Sequence, residues 1–156
     1  MEWSQVLADP SLQDLPYKVE TNEYGQIVMS PASNEHGYYQ VEISAALRAF
    51  NTGRTYSEAS VQTSKGVKVA DVAWCSDAFL RQHAGENPFQ TAPELCVEII
   101  SPSNSRREIA EKRELYFAAG ASEVWQSDLR GQLTFYDARG EISASILFPG
   151  FAKQVG

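Results

Sequence analysis

The sequence lacks long hydrophobic runs and contains few cysteines. No apolar stretch in the 156 residues approaches the roughly 18 residues of a membrane-spanning helix, so no membrane partner is expected. The first ten residues show neither a basic start nor an apolar core, which predicts no secretory signal and a cytoplasmic protein. The two cysteines, Cys75 and Cys96, form no CxxC motif and have no histidine cluster beside them, which favours reduced, structural thiols over a disulfide or a zinc site.

Positive charge is also scarce. The chain has 13 lysines and arginines against 20 aspartates and glutamates, which gives a formal net charge of −7. Because non-specific nucleic-acid binding depends on cations that displace counterions from phosphates, this balance counts against such binding over the whole surface. A local basic segment remains at Arg106, Arg107, Lys112 and Arg113, although a solvated helix face is the more ordinary interpretation of the first two.

The order of the predicted elements indicates one α/β (α+β) domain over residues 1–156, with an N-terminal arm at 1–15. Residues 17–29 predict a β-hairpin that turns at Gly25. A helix of about 16 residues is predicted to open at the segment Ser30–Asn34 and to be ended by Gly53. A short helix is predicted from Ser76 to His83, and another from a capping box at Ser105 to about Ala119, before Gly120. Further strands are predicted at 56–63, 67–75, 94–100, 122–127, 132–137 and 141–148.

Two acidic residues lie inside segments that are otherwise apolar. Asp71 falls within the predicted strand Val67–Trp74, and Glu98 falls within Leu95–Ile100. A carboxylate in a buried strand costs free energy unless it is paired or holds a cation. More ordinary interpretations remain open. Asp71 could be a hydrogen-bonded structural carboxylate, and Glu98 could lie at the solvent-exposed C-terminal end of its strand.

Lys112 is a basic residue at an apolar position of a predicted helix. Ile109, Leu115 and Tyr116 share its helical face, which predicts that the lysine points inward. The alternatives are that it extends along the edge of the core or forms a surface ion pair with Glu108. Together with Asp71 and Glu98, it completes the minimum set of groups for metal-assisted hydrolysis of a phosphate ester.

Several motifs resemble one protein family over nearly the whole chain, from about Tyr17 to Phe151. They are Asp71-Val72-Ala73, the stretch from Ala92 to Asn104 that contains Glu98-Ile99-Ile100-Ser101-Pro102-Ser103, then Lys112, Tyr116 and Gly120, and Glu123 to Asp128. In these features the sequence is similar to the Uma-type putative restriction endonuclease family of the PD-(D/E)xK nuclease superfamily. That resemblance implies a restriction endonuclease-like fold, in which helices flank a central mixed sheet and a divalent-metal site lies at the edge of the sheet.

The resemblance also implies roles for individual residues. Asp71 would be the first metal-binding aspartate and Glu98 the second acid, with the carbonyl of Ile99 as a further ligand. Lys112 would be the catalytic lysine, and Glu42 would be the helix acid that some members of the superfamily use. Mg²⁺ is the implied cofactor, with Mn²⁺ as a substitute, and DNA is the implied substrate.

The sequence departs from the superfamily pattern at two positions. Ala70 replaces the proline that usually precedes the aspartate, and Ile100 stands where the lysine is usually found. Relocation of that lysine to the following helix is familiar in this family, which is why Lys112 is assigned the role. His36, which flanks the apolar stripe of the first helix, receives no role.

Three functions remain open at this point. The first is a Mg²⁺-dependent endonuclease, for which a homodimer is expected because enzymes that cut both strands commonly pair two sites by two-fold symmetry. The aromatic residues Trp3, Tyr38, Phe79 and Phe89 are candidates for such an interface, with places in the core or scattered over the surface as the commoner alternative. The second function is a catalytically inactive nuclease-fold binding or scaffold protein, and the third is a metal-dependent hydrolase of another phosphorylated substrate.

Overall fold

The structure is a computed structural model that describes residues 1–156. Its helices are α1 (Trp3–Ala8), α2 (Asn34–Arg48), α3 (Asp77–His83) and α4 (Arg106–Ala118), with a 3₁₀ turn at Pro10–Leu12. Its strands are β1 (Tyr17–Thr21), β2 (Ile27–Pro31), β3 (Arg54–Thr63), β4 (Gly66–Cys75), β5 (Leu95–Ile99), β6 (Glu123–Ser127), β7 (Leu133–Asp137) and β8 (Gly140–Ile142). None of the helices combines the length and the apolar character needed to cross a membrane.

Strands β3 to β8 form one six-stranded sheet in sequence order, and β1 and β2 form a separate hairpin. All neighbours in the large sheet are antiparallel except β5 and β6, which are parallel. Parallel neighbours require a crossover, and α4 supplies it. The expected fold, a mixed sheet with flanking helices and an N-terminal hairpin, is therefore confirmed.

Strand β4, which lies between β3 and β5, is only partly covered by β5. The two strands pair over Val72–Trp74. In the earlier half of β4, two backbone N–H groups bond the hairpin instead: that of Val67 donates to Thr21 Oγ1 at 2.8 Å, and that of Val69 donates to Glu20 Oε2 at 2.6 Å. Side chains of β1 thus take the place of a neighbouring strand, and the hairpin lies against the part of β4 that β5 leaves uncovered.

Two hydrophobic layers stabilise the sheet. One includes residues of α2 and a set of aromatic rings: Tyr39, Ile43, Leu47, Trp74, Trp125, Phe135, Phe148 and Phe151. The other includes residues of α3, α4 and the segment before β5: Cys75, Phe79, Phe89, Cys96, Tyr116 and Val124. Since side chains alternate along β5, Leu95, Val97 and Ile99 belong to the first layer while Cys96 faces the second, which places Glu98 on the α4 side.

The cysteines and two of the aromatic residues occupy the second layer. Cys75 and Cys96 are free and buried, which agrees with the structural thiols expected from the sequence. The suggestion that Phe79 and Phe89 contribute to a dimer interface is wrong, because only 9% and 6% of these residues is exposed. Tyr38 is exposed, whereas Trp3 is half-buried and donates its indole N–H to Asn87 Oδ1.

The predicted strand at 141–148 is wrong beyond Ile142. The following segment bonds to a buried carboxylate rather than to a neighbouring strand. Glu123 accepts the N–H of Leu147 at 2.7 Å and the hydroxyl of Ser145 at 3.1 Å, and the Phe148 N–H donates to Ser145 Oγ at 2.9 Å. Because these groups are satisfied by side chains, the segment turns instead of extending the sheet.

The first long helix begins at the end of the opening segment that the sequence indicated, and its length is close to the predicted one. Strand β2 continues through Pro31, and α2 begins at Asn34. The hydroxyl of Ser33 caps this helix by accepting the N–H of His36 at 3.1 Å. The capping box predicted at Ser105 is present and starts α4.

Candidate active site

Five elements bring charged side chains together where β4 and β5 separate. Asp71 directly precedes Val72, and Glu98 directly follows Val97, which are the outermost paired residues of these two strands. Strand β1 and helix α4 complete a group that we call the charged cluster, which consists of Lys18, Glu20, Asp71, Glu98 and Lys112. Helix α2 reaches the same group through His36.

Asp71 is fixed by contacts to both carboxylate oxygens. Its Oδ2 accepts the N–H of Ile99 at 2.8 Å and lies 3.3 Å from His36 Nε2. Its Oδ1 accepts a hydrogen bond from Lys18 Nζ at 3.0 Å. Burial alone would raise the pKa of Asp71, but the hydrogen bond from His36 and the charge of Lys18 outweigh it and hold the pKa well below its ordinary value. The carboxylate is therefore ionised although it is only 1% exposed.

Glu98 also divides its two oxygens between different partners. Its Oε1 accepts the hydroxyl of Tyr116 at 2.7 Å and lies 3.1 Å from Lys112 Nζ. Its Oε2 accepts from Lys18 Nζ at 3.3 Å. Burial raises the pKa of Glu98 above its ordinary value, although the charges of Lys112 and Lys18 oppose the shift. The pKa of Asp71 is thus lowered and the pKa of Glu98 is raised, although the two acids lie in the same cluster.

Lys112 points inward, as the helical pattern predicted. Its Nζ lies 2.7 Å from Glu20 Oε2 and 3.1 Å from Glu98 Oε1. The suggested surface pair with Glu108 is absent, because the side chain of Glu108 instead accepts the N–H of Ser105 in the capping box. The side chain of Lys112 is 20% exposed, the largest exposed fraction in the charged cluster. It is therefore the member of the cluster best placed to meet a substrate.

Lys18 and Glu20 belong to the charged cluster, although the apolar patterns of the sequence did not indicate them. Lys18 Nζ contacts both acids and also donates to the carbonyl of Val69 at 3.1 Å. Burial alone would lower the pKa of Lys18, but the charges of Glu98, Asp71 and Glu20 raise it well above the ordinary value. Burial likewise opposes the lowered pKa of Glu20, which the charges of Lys112 and Lys18 produce. Their spacing of two residues on a strand, which places them on one face, was the available signal.

Helix α2 contributes residues other than the one expected. His36 contacts the Asp71 carboxylate, and Gln40 donates to the Asp71 carbonyl at 2.9 Å. The other ring nitrogen of His36, Nδ1, is buried without a hydrogen-bond partner. Glu42 forms no ion pair or hydrogen bond with the cluster and lies about 200° around the helix from Gln40. The structure therefore does not bring Glu42 to the other predicted site residues.

The oxygen atoms of the two acids converge on a single cation position. Lys18 Nζ holds this position, with Asp71 Oδ1, Glu98 Oε2 and the Val69 carbonyl oxygen at 3.0, 3.3 and 3.1 Å. No group of three or more His, Cys, Asp or Glu side chains is arranged to hold a metal. Carboxylate and carbonyl oxygens are nevertheless the donors that Mg²⁺ prefers, and Mg²⁺ commonly takes only one or two carboxylates. The donor set thus fits such an ion, for which the ammonium group is a stand-in.

A family model and a solved structure, both described as nucleases, match the chain. A family model described as "Putative restriction endonuclease" (Uma2) matches residues 10–140. Among solved structures, the chain is similar to a crystal structure of a putative nuclease belonging to DUF820 from Anabaena variabilis ATCC 29413. The TM-score is 0.65 and the identity 21%, and the match covers 86% of this chain and 83% of that chain. At this identity the likeness shows a shared fold. No curated protein matches the chain.

Proposed function

Because the chain belongs to the Uma2 family of putative restriction endonucleases, we propose that it is a Mg²⁺-dependent endonuclease that hydrolyses phosphodiester bonds in DNA. The observation that supports this most strongly is the convergence of Asp71 and Glu98 on one cation position, 3.0 and 3.3 Å from the ammonium that holds it. Lys112 lies beside the same carboxylate, 3.1 Å from Glu98 Oε1. The similar structure is also described as a putative nuclease, which supports the same reaction class.

The surrounding residues leave each acid one oxygen for a metal ion. The Ile99 N–H and His36 hold Asp71 Oδ2, so Oδ1 faces the shared position. Tyr116 and Lys112 hold Glu98 Oε1, so Oε2 faces it as well. A divalent cation held there would polarise the scissile phosphate and lower the pKa of a bound water. In the reaction a water oxygen would bond to phosphorus as the P–O bond to the leaving oxygen breaks, and the proton that the water loses would end on the leaving oxygen.

Lys112 would supply positive charge beside the reacting phosphate. Negative charge on the phosphate oxygens increases in the transition state, and a fixed cation at the same place stabilises it. Glu20 holds the Nζ of Lys112 at 2.7 Å and so fixes where that charge lies. Glu20 therefore acts as a positioning residue.

The start of α4 offers a local basic surface for the DNA backbone. Arg106 and Arg107 are exposed in the first turn of this helix, six and five residues before Lys112. Arg113 is engaged elsewhere, since its guanidinium lies 4.0 Å from the ring centre of Tyr136 and donates to Gln126. Contacts from Arg106 and Arg107 to phosphates would place the duplex next to the charged cluster despite the net negative charge of the chain.

A cleavage assay tests the proposal. Supercoiled, linear double-stranded and single-stranded DNA are incubated with the protein and Mg²⁺ or Mn²⁺. Cleavage is expected to fall by about 100-fold or more in Asp71→Asn, Glu98→Gln and Lys112→Met, since each variant removes a metal ligand or a transition-state charge. Lys65→Met is the matched control, because Lys65 is a 45% exposed lysine that pairs with Glu111 outside the cluster. Cleavage at equal rates by the wild type and all variants would reject this active site.

A second candidate, a catalytically inactive nuclease-fold binding or scaffold protein, is favoured by one observation. The lysines already neutralise the acids without a metal, since Lys18 contacts Asp71 and Glu98 while Lys112 contacts Glu20 and Glu98. For such a protein, no DNA would be cut with either metal, and a chelator would leave the melting temperature unchanged. Hydrolysis of bis(p-nitrophenyl) phosphate without DNA cleavage would instead support a hydrolase of another phosphorylated substrate.

A further inference from the structure

Lys18 holds the position that the proposed cation requires. Its Nζ contacts the one oxygen of each acid that faces this position, Asp71 Oδ1 at 3.0 Å and Glu98 Oε2 at 3.3 Å. Hard divalent cations such as Mg²⁺ and Ca²⁺ bind oxygen ligands at roughly 2.0 to 2.6 Å. An ammonium group and a divalent cation cannot share the same two oxygens at such distances, because the like charges repel and the atoms overlap.

We propose that Lys18 is a built-in competitor of the metal, whose ammonium group must leave Asp71 and Glu98 before a divalent cation binds. Lys18 thereby sets the metal affinity of the site. This inference rests on the proposed function, since it concerns the same two acids. It assigns to Lys18 the role of limiting metal binding, which differs from the roles of Asp71, Glu98 and Lys112.

A cleft beside Lys18 provides space for the displaced side chain. This surface cleft has a volume of about 280 Å³ and is lined in part by Lys18 itself and Val69. Glu58 also lines this cleft, and we expect its negative charge to favour the displaced ammonium group there. A rotation of the flexible lysine side chain into the cleft would free both acids.

The backbone of β1 need not move during this exchange. The N–H groups of Val67 and Val69 hold the hairpin through Thr21 Oγ1 and Glu20 Oε2 at 2.8 and 2.6 Å. Neither contact involves Lys18. The competition is therefore confined to one side chain, and a substitution at Lys18 tests it without removing these anchors.

Lys112 provides a matched control for the test. It contacts Glu98 at 3.1 Å, much as Lys18 does at 3.3 Å, and both lysines belong to the same cluster. Lys112 contacts the other oxygen of Glu98, however, and it does not contact Asp71. If general repulsion between positive charges limited metal affinity, loss of either lysine would raise the affinity equally. If occupation of the metal position limits it, loss of Lys18 will have the larger effect.

The experiment is a titration of the full chain with Mn²⁺, with free Mn²⁺ measured by electron paramagnetic resonance. Wild type, Lys18→Met, Lys18→Gln and Lys112→Met are compared. An apparent dissociation constant scales inversely with the fraction of molecules competent to bind, so a site that is mostly closed by Lys18 gains about tenfold or more in affinity when the lysine is removed. We expect that gain in both Lys18 variants and a smaller change in Lys112→Met.

Each outcome of the Mn²⁺ titration either supports or overturns the proposed competition. Equal or weaker binding in the Lys18 variants, with measurable binding in the wild type, overturns the competition and leaves the proposed function standing. An equal gain in Lys112→Met also overturns it. Absence of Mn²⁺ binding in every variant overturns both the competition and the metal-dependent function, whereas tighter binding without DNA cleavage supports the competition and rejects the nuclease. If Lys18→Met does not fold, Lys18→Gln, which keeps a hydrogen-bond donor for the two acids, gives the result.

Discussion

The Nζ of Lys18 lies 3.0 Å from Oδ1 of Asp71, although 53 positions separate the two residues in the chain. This contact joins the N-terminal hairpin to β4 of the six-stranded sheet. The hairpin therefore contributes a residue to the charged cluster. The stability of the cluster and its chemistry therefore depend on the same side chains.

Loss of Glu20 is expected to destabilise the fold. Lys112 Nζ at 2.7 Å and the Val69 N–H at 2.6 Å both lose their acceptor in Glu20→Ala. Breaking a buried pair by removing one partner costs about 3 kcal/mol in the free energy of unfolding. Urea denaturation measures the loss, with Glu23→Ala, at an exposed glutamate of the same hairpin, as the control. Equal midpoints for wild type and Glu20→Ala would show that the pair does not stabilise the protein.

Asp71 is expected to make stability depend on pH in the acid range. Burial opposes the shift, but the hydrogen bond from His36 and the charge of Lys18 hold the pKa of Asp71 below the ordinary value of 3.8. Ionised Asp71 therefore stabilises the fold above about pH 4, and this contribution is lost as the pH falls through the pKa of the folded state. Glu98, whose pKa is raised, contributes in the opposite direction.

The comparison of wild type with Asp71→Asn isolates this contribution from that of Glu98. The difference between their free energies of unfolding should shrink as the pH is lowered from about 5 to about 2. Chemical denaturation at a series of pH values measures it in the absence of added metal. A difference that stays constant over this range would contradict the assigned ionisation of Asp71.

The two thiols are expected to be unreactive in the folded protein. Burial raises the pKa of Cys75 to about 12 and that of Cys96 well above its ordinary value. Since the thiolate is the nucleophile, iodoacetamide at about pH 8 should modify neither cysteine in the native state and both in urea. Mass spectrometry of the alkylated protein gives the count. Rapid modification of either cysteine without urea would contradict the buried positions.

Glu123 is expected to hold the segment that follows β8. Its carboxylate accepts the Leu147 N–H at 2.7 Å, the Ser145 hydroxyl at 3.1 Å and the Trp125 indole N–H at 3.2 Å. Glu123→Ala leaves these buried donors without an acceptor, which should lower the free energy of unfolding by about 2 to 4 kcal/mol. Thermal or urea unfolding measures the change, and Glu141→Ala, at an exposed position, is the control. A loss no larger than that of the control would show that the segment is held by other contacts.

The acids at Asp71 and Glu98 and the inward direction of Lys112 were visible in the sequence for a physical reason. Each charged side chain interrupts an apolar pattern, and the cost of burying an unpaired charge requires a partner. The pattern could not show that the partner shared by Asp71 and Glu98 is Lys18. That residue lies on a short hairpin strand whose mixed polarity is typical of an exposed surface, and only the tertiary contact with β4 buries it.

Two other differences between sequence and structure also arise from tertiary contacts. Glu42 was proposed from resemblance alone, and the face of α2 that meets the site carries His36 and Gln40. The strand predicted at 141–148 followed local alternation, which cannot reveal that Glu123 bonds the Leu147 N–H. In the second case the local pattern was compatible with the prediction, and a distant residue decided the structure.

Diffraction from crystals of the protein soaked in Mn²⁺, recorded at a wavelength where manganese scatters anomalously, tests the central claim most directly. One anomalous peak is expected between Asp71 Oδ1 and Glu98 Oε2, with the Lys18 ammonium moved out of the position in which it now contacts both oxygens. An unchanged Lys18 with no peak at the two acids, or a peak only elsewhere on the molecule, would contradict the claim that these carboxylates form the metal site of a nuclease.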